Sequence, residues 1–276
     1  MSGRGPIGMA VDGDTGWVAA ADSGDLLELD LAAGQEAAAI AIGVGASSVL
    51  VGDDGSVFVS RIGMDESGEN LVKVDAAGRK VSRIRLEPLG GLAAGESGTL
   101  WALEKTGRIL HVDPATGSVL AHVDVPINPN EHTEIVSGSG ARWMASDTTA
   151  VRRIAADATI AADIATGGGI PLAFDGGRVW GARADELWAI DPATNAIAAR
   201  VPLLDIAEIL SLDVAGSDVW IAARRAGRIG VVVRLELPTG RVIGEYPVSL
   251  PAAVVLTADR AWVTNNDRNE VLAFER

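Results

Sequence analysis

The stretch Gly98-Thr99-Leu100-Trp101-Ala102, followed after a short polar link by Gly107-Arg108-Ile109-Leu110-His111-Val112-Asp113-Pro114-Ala115-Thr116-Gly117, holds two short apolar runs. The second run alternates with period two, as a half-buried strand does. It closes on a turn in which Pro114 presets φ, Asp113 can bond the backbone downstream, and Gly117 supplies a positive φ. Four short strands are the expectation for this unit, over residues 91–94, 99–103, 109–113 and 119–125.

The unit recurs along the chain. Its aromatic falls at Trp17, Phe58, Trp101, Trp143, Trp180, Trp220 and Trp262, at intervals of 37 to 43 residues. About ten residues later comes an apolar residue followed by an acid: Leu29-Asp30, Val74-Asp75, Val112-Asp113, Ile190-Asp191, Leu235-Glu236 and Phe274-Glu275. Ile154-Ala155 is the degenerate copy. Asp191-Pro192-Ala193-Thr194-Asn195 and Leu237-Pro238-Thr239-Gly240 repeat the turn chemistry. Leu27 and Leu29, Val72 and Val74, Leu110 and Val112, and Val233 and Leu235 share one face of the third strand. Glu28, Lys73, His111 and Arg234 fall on the other, which reads as the polar side.

Repeats of this length, each with four strands, predict an all-β, seven-bladed β-propeller of four-stranded antiparallel blades. The expected domain is a single propeller over 1–276, with repeats at approximately 5–43, 44–87, 88–126, 127–167, 168–205, 206–250 and 251–276. The seventh repeat stops after its third strand, so the last blade is expected to lack its outer strand. Two readings follow from that: the chain is part of a larger bacterial protein, or the open edge pairs with another segment or copy.

The unit from Gly98 to Gly117 resembles the repeat of the streptogramin B lyase-like propellers. Ala261-Trp262-Val263-Thr264-Asn265-Asn266, followed by Glu270-Val271-Leu272-Ala273-Phe274-Glu275, is similar to the YVTN repeat of YncE-type propellers. The resemblance spans essentially the whole chain. It implies the fold and leaves activity open, since these repeats occur in lyases, lactonase relatives and non-catalytic binding domains. In streptogramin B lyase-like enzymes, histidine and glutamate from late blades act as general acid–base groups. Repeats five to seven here hold no histidine, and Glu131-His132 lies in repeat four, so the catalytic set does not carry over.

Composition narrows the function classes. The chain has 276 residues, of which 48% are hydrophobic, enough for a substantial core. Lys and Arg number 23 against 37 Asp and Glu, a formal net charge of −14. That balance argues against nucleic-acid binding and against a polybasic membrane anchor. The absence of cysteine excludes disulfides, thiolate metal sites and cysteine nucleophiles. No apolar run reaches bilayer-spanning length, and none at the start has signal-peptide form. The expected location is cytoplasmic, or extracytoplasmic as a domain of a longer protein.

Fold analogy places the ligand surface on the face that carries the loops into the first strands and the turns between second and third strands. Most lead-in loops are bland: 5–8, 45–48, 88–91, 168–171 and 249–252. Two carry chemistry, the run from Asn128 to Glu134 and Asp205-Ile206-Ala207-Glu208. If they converge, Glu131, Glu134, Asp205 and Glu208 form an oxygen set suited to Ca²⁺ or Mg²⁺. A solvated acidic loop is the alternative reading. For His132, catalysis stands against a surface histidine. His111 and His122 read as surface histidines.

The second–third turns separate by sign: Asp22, Asp25, Asp65, Glu66 and Glu69 early, Arg183, Arg224, Arg225, Arg228 and Arg268 late, with Glu104, Lys105 and Arg108 between. Arginine suits carboxylate and phosphate recognition, so Glu131, His132, Arg183, Arg224, Arg225 and Asn265 are the candidate ligand contacts. Residues 61–70, with Met64, form the longest such loop and the expected contact insertion. Gly167-Gly168-Gly169 and Gly43-Val44-Gly45 lack phosphate-loop spacing, and no serine sits in a hydrolase motif. The expected function is non-enzymatic recognition of a protein, peptide or glycan. The alternative is a divalent-metal-dependent lyase- or lactonase-like enzyme.

Overall fold

The computed structural model describes all residues except 64–65, 76–78, 129–130 and 149. The chain is a seven-bladed β-propeller: six antiparallel sheets of four strands and a last one of three. Two compact units divide it, Met1–Pro129 with blades one to three and Asn130–Arg276 with blades four to seven. Helix is confined, among the described residues, to two single turns, Glu96–Gly98 and Ala226–Arg228. No helix among them is long and apolar enough to cross a membrane.

In blade three the strands are Leu89–Ala94, Leu100–Glu104, Arg108–Asp113 and Ser118–Asp124, each within two residues of its expected span at either end. The closing turn behaves as its residues dictate. The Asp113 carboxylate accepts from the Ala115 N–H at 2.9 Å and from the Thr116 hydroxyl at 2.8 Å. Gly117 takes φ +74°, and Asn195 takes φ +55° at the same position of blade five. The last blade consists of Pro251–Leu256, Arg260–Asn265 and Glu270–Glu275, so its outer strand is missing as expected.

All seven repeat aromatics lie on second strands and are at most 7% exposed. Each packs toward the next blade of its unit where one follows. Trp17 joins Val57, Val59 and Val72 of blade two, and Phe58 joins Leu92, Leu100 and Leu110 of blade three. Trp143, Trp180 and Trp220 do the same toward blades five, six and seven. The cores therefore lie between sheets, and both faces of an inner strand are covered. Trp188, outside the repeat register, fills the interface of blades four and five. Gly181 makes room for it, since a Cβ there would lie 2.1 Å from the indole.

This covering corrects the polar-face reading of the third strands. Lys73 sits over Phe58 at 5.4 Å, Arg153 over Trp143 at 5.3 Å and Arg234 over Trp220 at 5.3 Å. His111 stacks on Trp101 at 4.5 Å and shares a 2.8 Å hydrogen bond with the Thr99 hydroxyl, so it is half-buried rather than a surface histidine. Cross-strand register puts these cationic and imidazole groups on the aromatic faces, where the ring quadrupole attracts a cation. His122, on the outer strand, is exposed as expected.

Candidate recognition face

The first two strands of a blade run antiparallel, so the loop into the first strand and the turn after the second share one end of the sheet. In blade six the pairs Glu208↔Arg224 and Arg225↔Ile229 bring residues 203–207 and 226–228 to that end.

The four acids expected to hold a cation do not form a cluster. Among the described residues no three acidic or histidine side chains group as a metal site requires. Glu131 accepts from the Thr148 hydroxyl, and Glu208 pairs with Arg224 at 2.8 Å. Asp205 sits at φ +58° in the lead-in loop of blade six. Glu134 lies on the first strand of blade four, where its carboxylate accepts from the Leu172 N–H of blade five at 3.0 Å. Burial pushes that carboxyl up to about 7, against the opposing effect of the backbone N–H. Sequence proximity groups these acids in pairs, but Glu134 points between blades while Glu131 turns to Thr148, just past the second strand of its own blade.

His132 is largely exposed, with Nδ1 3.2 Å from the Asp147 carboxylate. Arg183 pairs with Asp185 at 2.8 Å and with Glu186 at 3.2 Å. Arg225 pairs with Glu245 across the sheet. Asn265 is 2% exposed. It accepts from the Leu250 N–H at 3.1 Å and donates to Glu270 at 2.8 Å, so its amide ties the lead-in loop of blade seven to the third strand. Arg228 and Arg268 are exposed and form no ion pair among the described residues. Met64 and Asp65 lie outside the described residues. The base of their loop is fixed by the buried Arg61, which donates to the carbonyls of Val44 and Glu69 at 3.1 and 3.0 Å.

Three features escaped the sequence reading. Leu204 and Ile229 are the most exposed large apolar side chains described, at 80% and 64%; Ile229 lies opposite Arg225 at the loop end of blade six, and Leu204 lies in the lead-in loop, next to Leu203, whose N–H bonds the Asp185 carbonyl of blade five. Asp213, on the first strand of blade six, accepts from the Leu256 N–H of blade seven at 2.8 Å, and burial raises its carboxyl to about 6. Its signal was an acid opposite a repeat tryptophan, Trp220. The third is a run of cations from Arg79 to Arg85.

No family model matches the chain, and no curated protein does. Solved structures do. Hydrazine synthase from Kuenenia stuttgartiensis is similar over 100% of this chain and 97% of that chain, with TM-score 0.76 and 16% sequence identity. BamB from Moraxella catarrhalis is similar over 98% of this chain and 84% of that chain, with TM-score 0.65 and 15% identity. Likeness at such identity shows the β-propeller fold and leaves the function open between catalysis and binding.

Proposed function

We propose that the chain is a non-enzymatic recognition propeller, a single domain of the YVTN and streptogramin-lyase-like kind, that binds an acidic protein or peptide segment. One observation carries the reading: exposed Ile229 stands opposite Arg225 and next to Arg228, at the end of blade six whose lead-in loop carries the exposed Leu204. Arginine is enriched at interface hot spots, and a large exposed apolar side chain offers area for a partner to bury. Arg228, with no ion pair among the described residues, is the cation open to an incoming carboxylate. No specific observation favours the metal-dependent lyase or lactonase alternative.

The test is selection of a random displayed peptide library on the folded protein, followed by calorimetry of the enriched peptides. Enriched peptides are expected to combine acids with an apolar side chain and to bind less well as salt rises. Leu204→Asp and Arg228→Glu should each weaken them by about tenfold or more. Peptides that bind both variants as tightly as the native chain would overturn the proposal, as would a selection that enriches no sequence.

A further inference from the structure

A second feature lies within the unit Met1–Pro129. A cavity of about 520 Å³ opens between the outer strand of blade two, Val81–Ile84, and the turn 114–117 of blade three. Gly117 lines one side of it, and a Cβ there would lie 3.6 Å from Ile84. Lys73, Lys80, Arg83 and Arg85 line the cavity, with Asp75 the one acid among the described lining residues. Charge of that sign is unexpected on a chain of formal net charge −14. Five of the nine Lys and Arg residues before residue 130 fall between Lys73 and Arg85.

The cations of the cavity are weakly neutralised. Lys73 lies 3.7 Å from Asp54 and Arg83 lies 3.6 Å from Glu69, both beyond hydrogen-bond range. Lys80 and Arg85 make no ion pair among the described residues. The acid of the facing turn, Asp113, is engaged by the Ala115 N–H and the Thr116 hydroxyl.

The fold does not impose this charge. The equivalent cavity between blades five and six, of about 400 Å³, is lined by Trp180, Ala199, Val201 and Leu237, with one acid, Asp175, and one cation, Arg178. There Ala189 holds the register that Lys73 holds in blade two, and Arg200, the counterpart of Arg83, is paired with Glu186. Cations on an outer strand also deter edge pairing. That accounts for Arg83, and the Phe58 ring accounts for Lys73, but neither accounts for Lys80 and Arg85 in the same cavity.

We propose that the blade-two cavity binds a small phosphate-bearing anion of two or more negative charges. Its volume suits a small-molecule ligand. Lys supplies point charge and Arg supplies forked donors, the pair that phosphate recognition uses.

Titration calorimetry with inorganic pyrophosphate, at about 50 mM salt, tests it. One site per chain is expected. Lys80→Gln and Arg85→Gln should each weaken it about fivefold or more, because each removes a charge-assisted contact. Both side chains are exposed, and thermal melts check that the variants stay folded. Arg178→Gln, at the rim of the apolar cavity, should leave the affinity unchanged. Equal weakening by Arg178→Gln would overturn the site, as would no binding at about millimolar pyrophosphate. Tighter binding of citrate would overturn the phosphate assignment. Sedimentation with phosphatidic acid vesicles without pyrophosphate binding would overturn the enclosed site in favour of a surface charge effect.

Discussion

Glu134 and Asp213 are acids placed where neighbouring blades provide backbone rather than water. Each lies on a first strand and accepts the N–H of a residue on the first strand of the following blade. Ser211 does the same for Val254 at 3.1 Å, so a hydroxyl serves where a charge is not needed. Burial favours the protonated form and raises the Glu134 carboxyl from 4.5 to about 7. The folded protein then holds this proton more tightly than the unfolded chain. Stability from Glu134 is therefore greatest below about 4.5 and is lost as pH rises through about 7. Glu134→Gln keeps an acceptor for Leu172 and removes the charge. It should stabilise the protein by about 1–3 kcal/mol at pH 8 and change little near pH 4.5. Urea midpoints at the two pH values check this, and an unchanged difference between variant and native chain at both would refute it.

At the scale of the element, one blade is a stacked column set by cross-strand register. Trp101, fully buried, is covered on one face by His111 and pairs across the sheet with Ala93 of the first strand. Trp101→Ala should cost about 3–5 kcal/mol, because the emptied volume is walled by rigid strands that cannot collapse into it. Equilibrium urea unfolding measures the loss, and a cost below about 1 kcal/mol would mean that the column is not a structural unit. This element was legible in the sequence because its determinants are local: one aromatic per repeat, period two, and an Asp-to-Gly turn. Glu134 and Asp213 were not legible as blade staples, since their partners Leu172 and Leu256 lie 38 and 43 residues away. The same holds for the cation face of the third strand. Alternation tells which residues share a face, but not that a second sheet will cover it. The acids Glu131, Glu134, Asp205 and Glu208 share a composition suited to a cation, but strand direction sends Glu134 into an interface between blades. The cavity of blade two escaped because its cations come from two strands and its opposite wall from the next repeat.

For the whole molecule, two sets of acids pull the pH profile in opposite directions. Asp218 is held below its ordinary value although burial works the other way, because Arg234 and Arg276 bond it at 2.8 and 2.9 Å. Asp54 is lowered by the Ser56 N–H, and Asp113 and Asp157 by the hydroxyls of Thr116 and Thr159. Their contribution is present above the unfolded value of 3.8 and is lost as pH falls below it. Glu134 and Asp213 act above that point, with stability declining from about 4 to about 7 as they are forced to ionise. Net charge adds to the decline, since self-repulsion grows as pH leaves the isoelectric point of about 4.6. The urea midpoint should therefore peak near pH 5, fall toward pH 8 and fall again below about pH 4. Dilute protein avoids precipitation near the isoelectric point. In Glu134→Gln/Asp213→Asn the decline from pH 5 to 8 should shrink to the part that about 0.5 M salt removes, because screening acts on distant surface charge and hardly on buried carboxyls. A decline that survives both the double variant and salt would mean that neither the buried acids nor self-repulsion sets the alkaline limb.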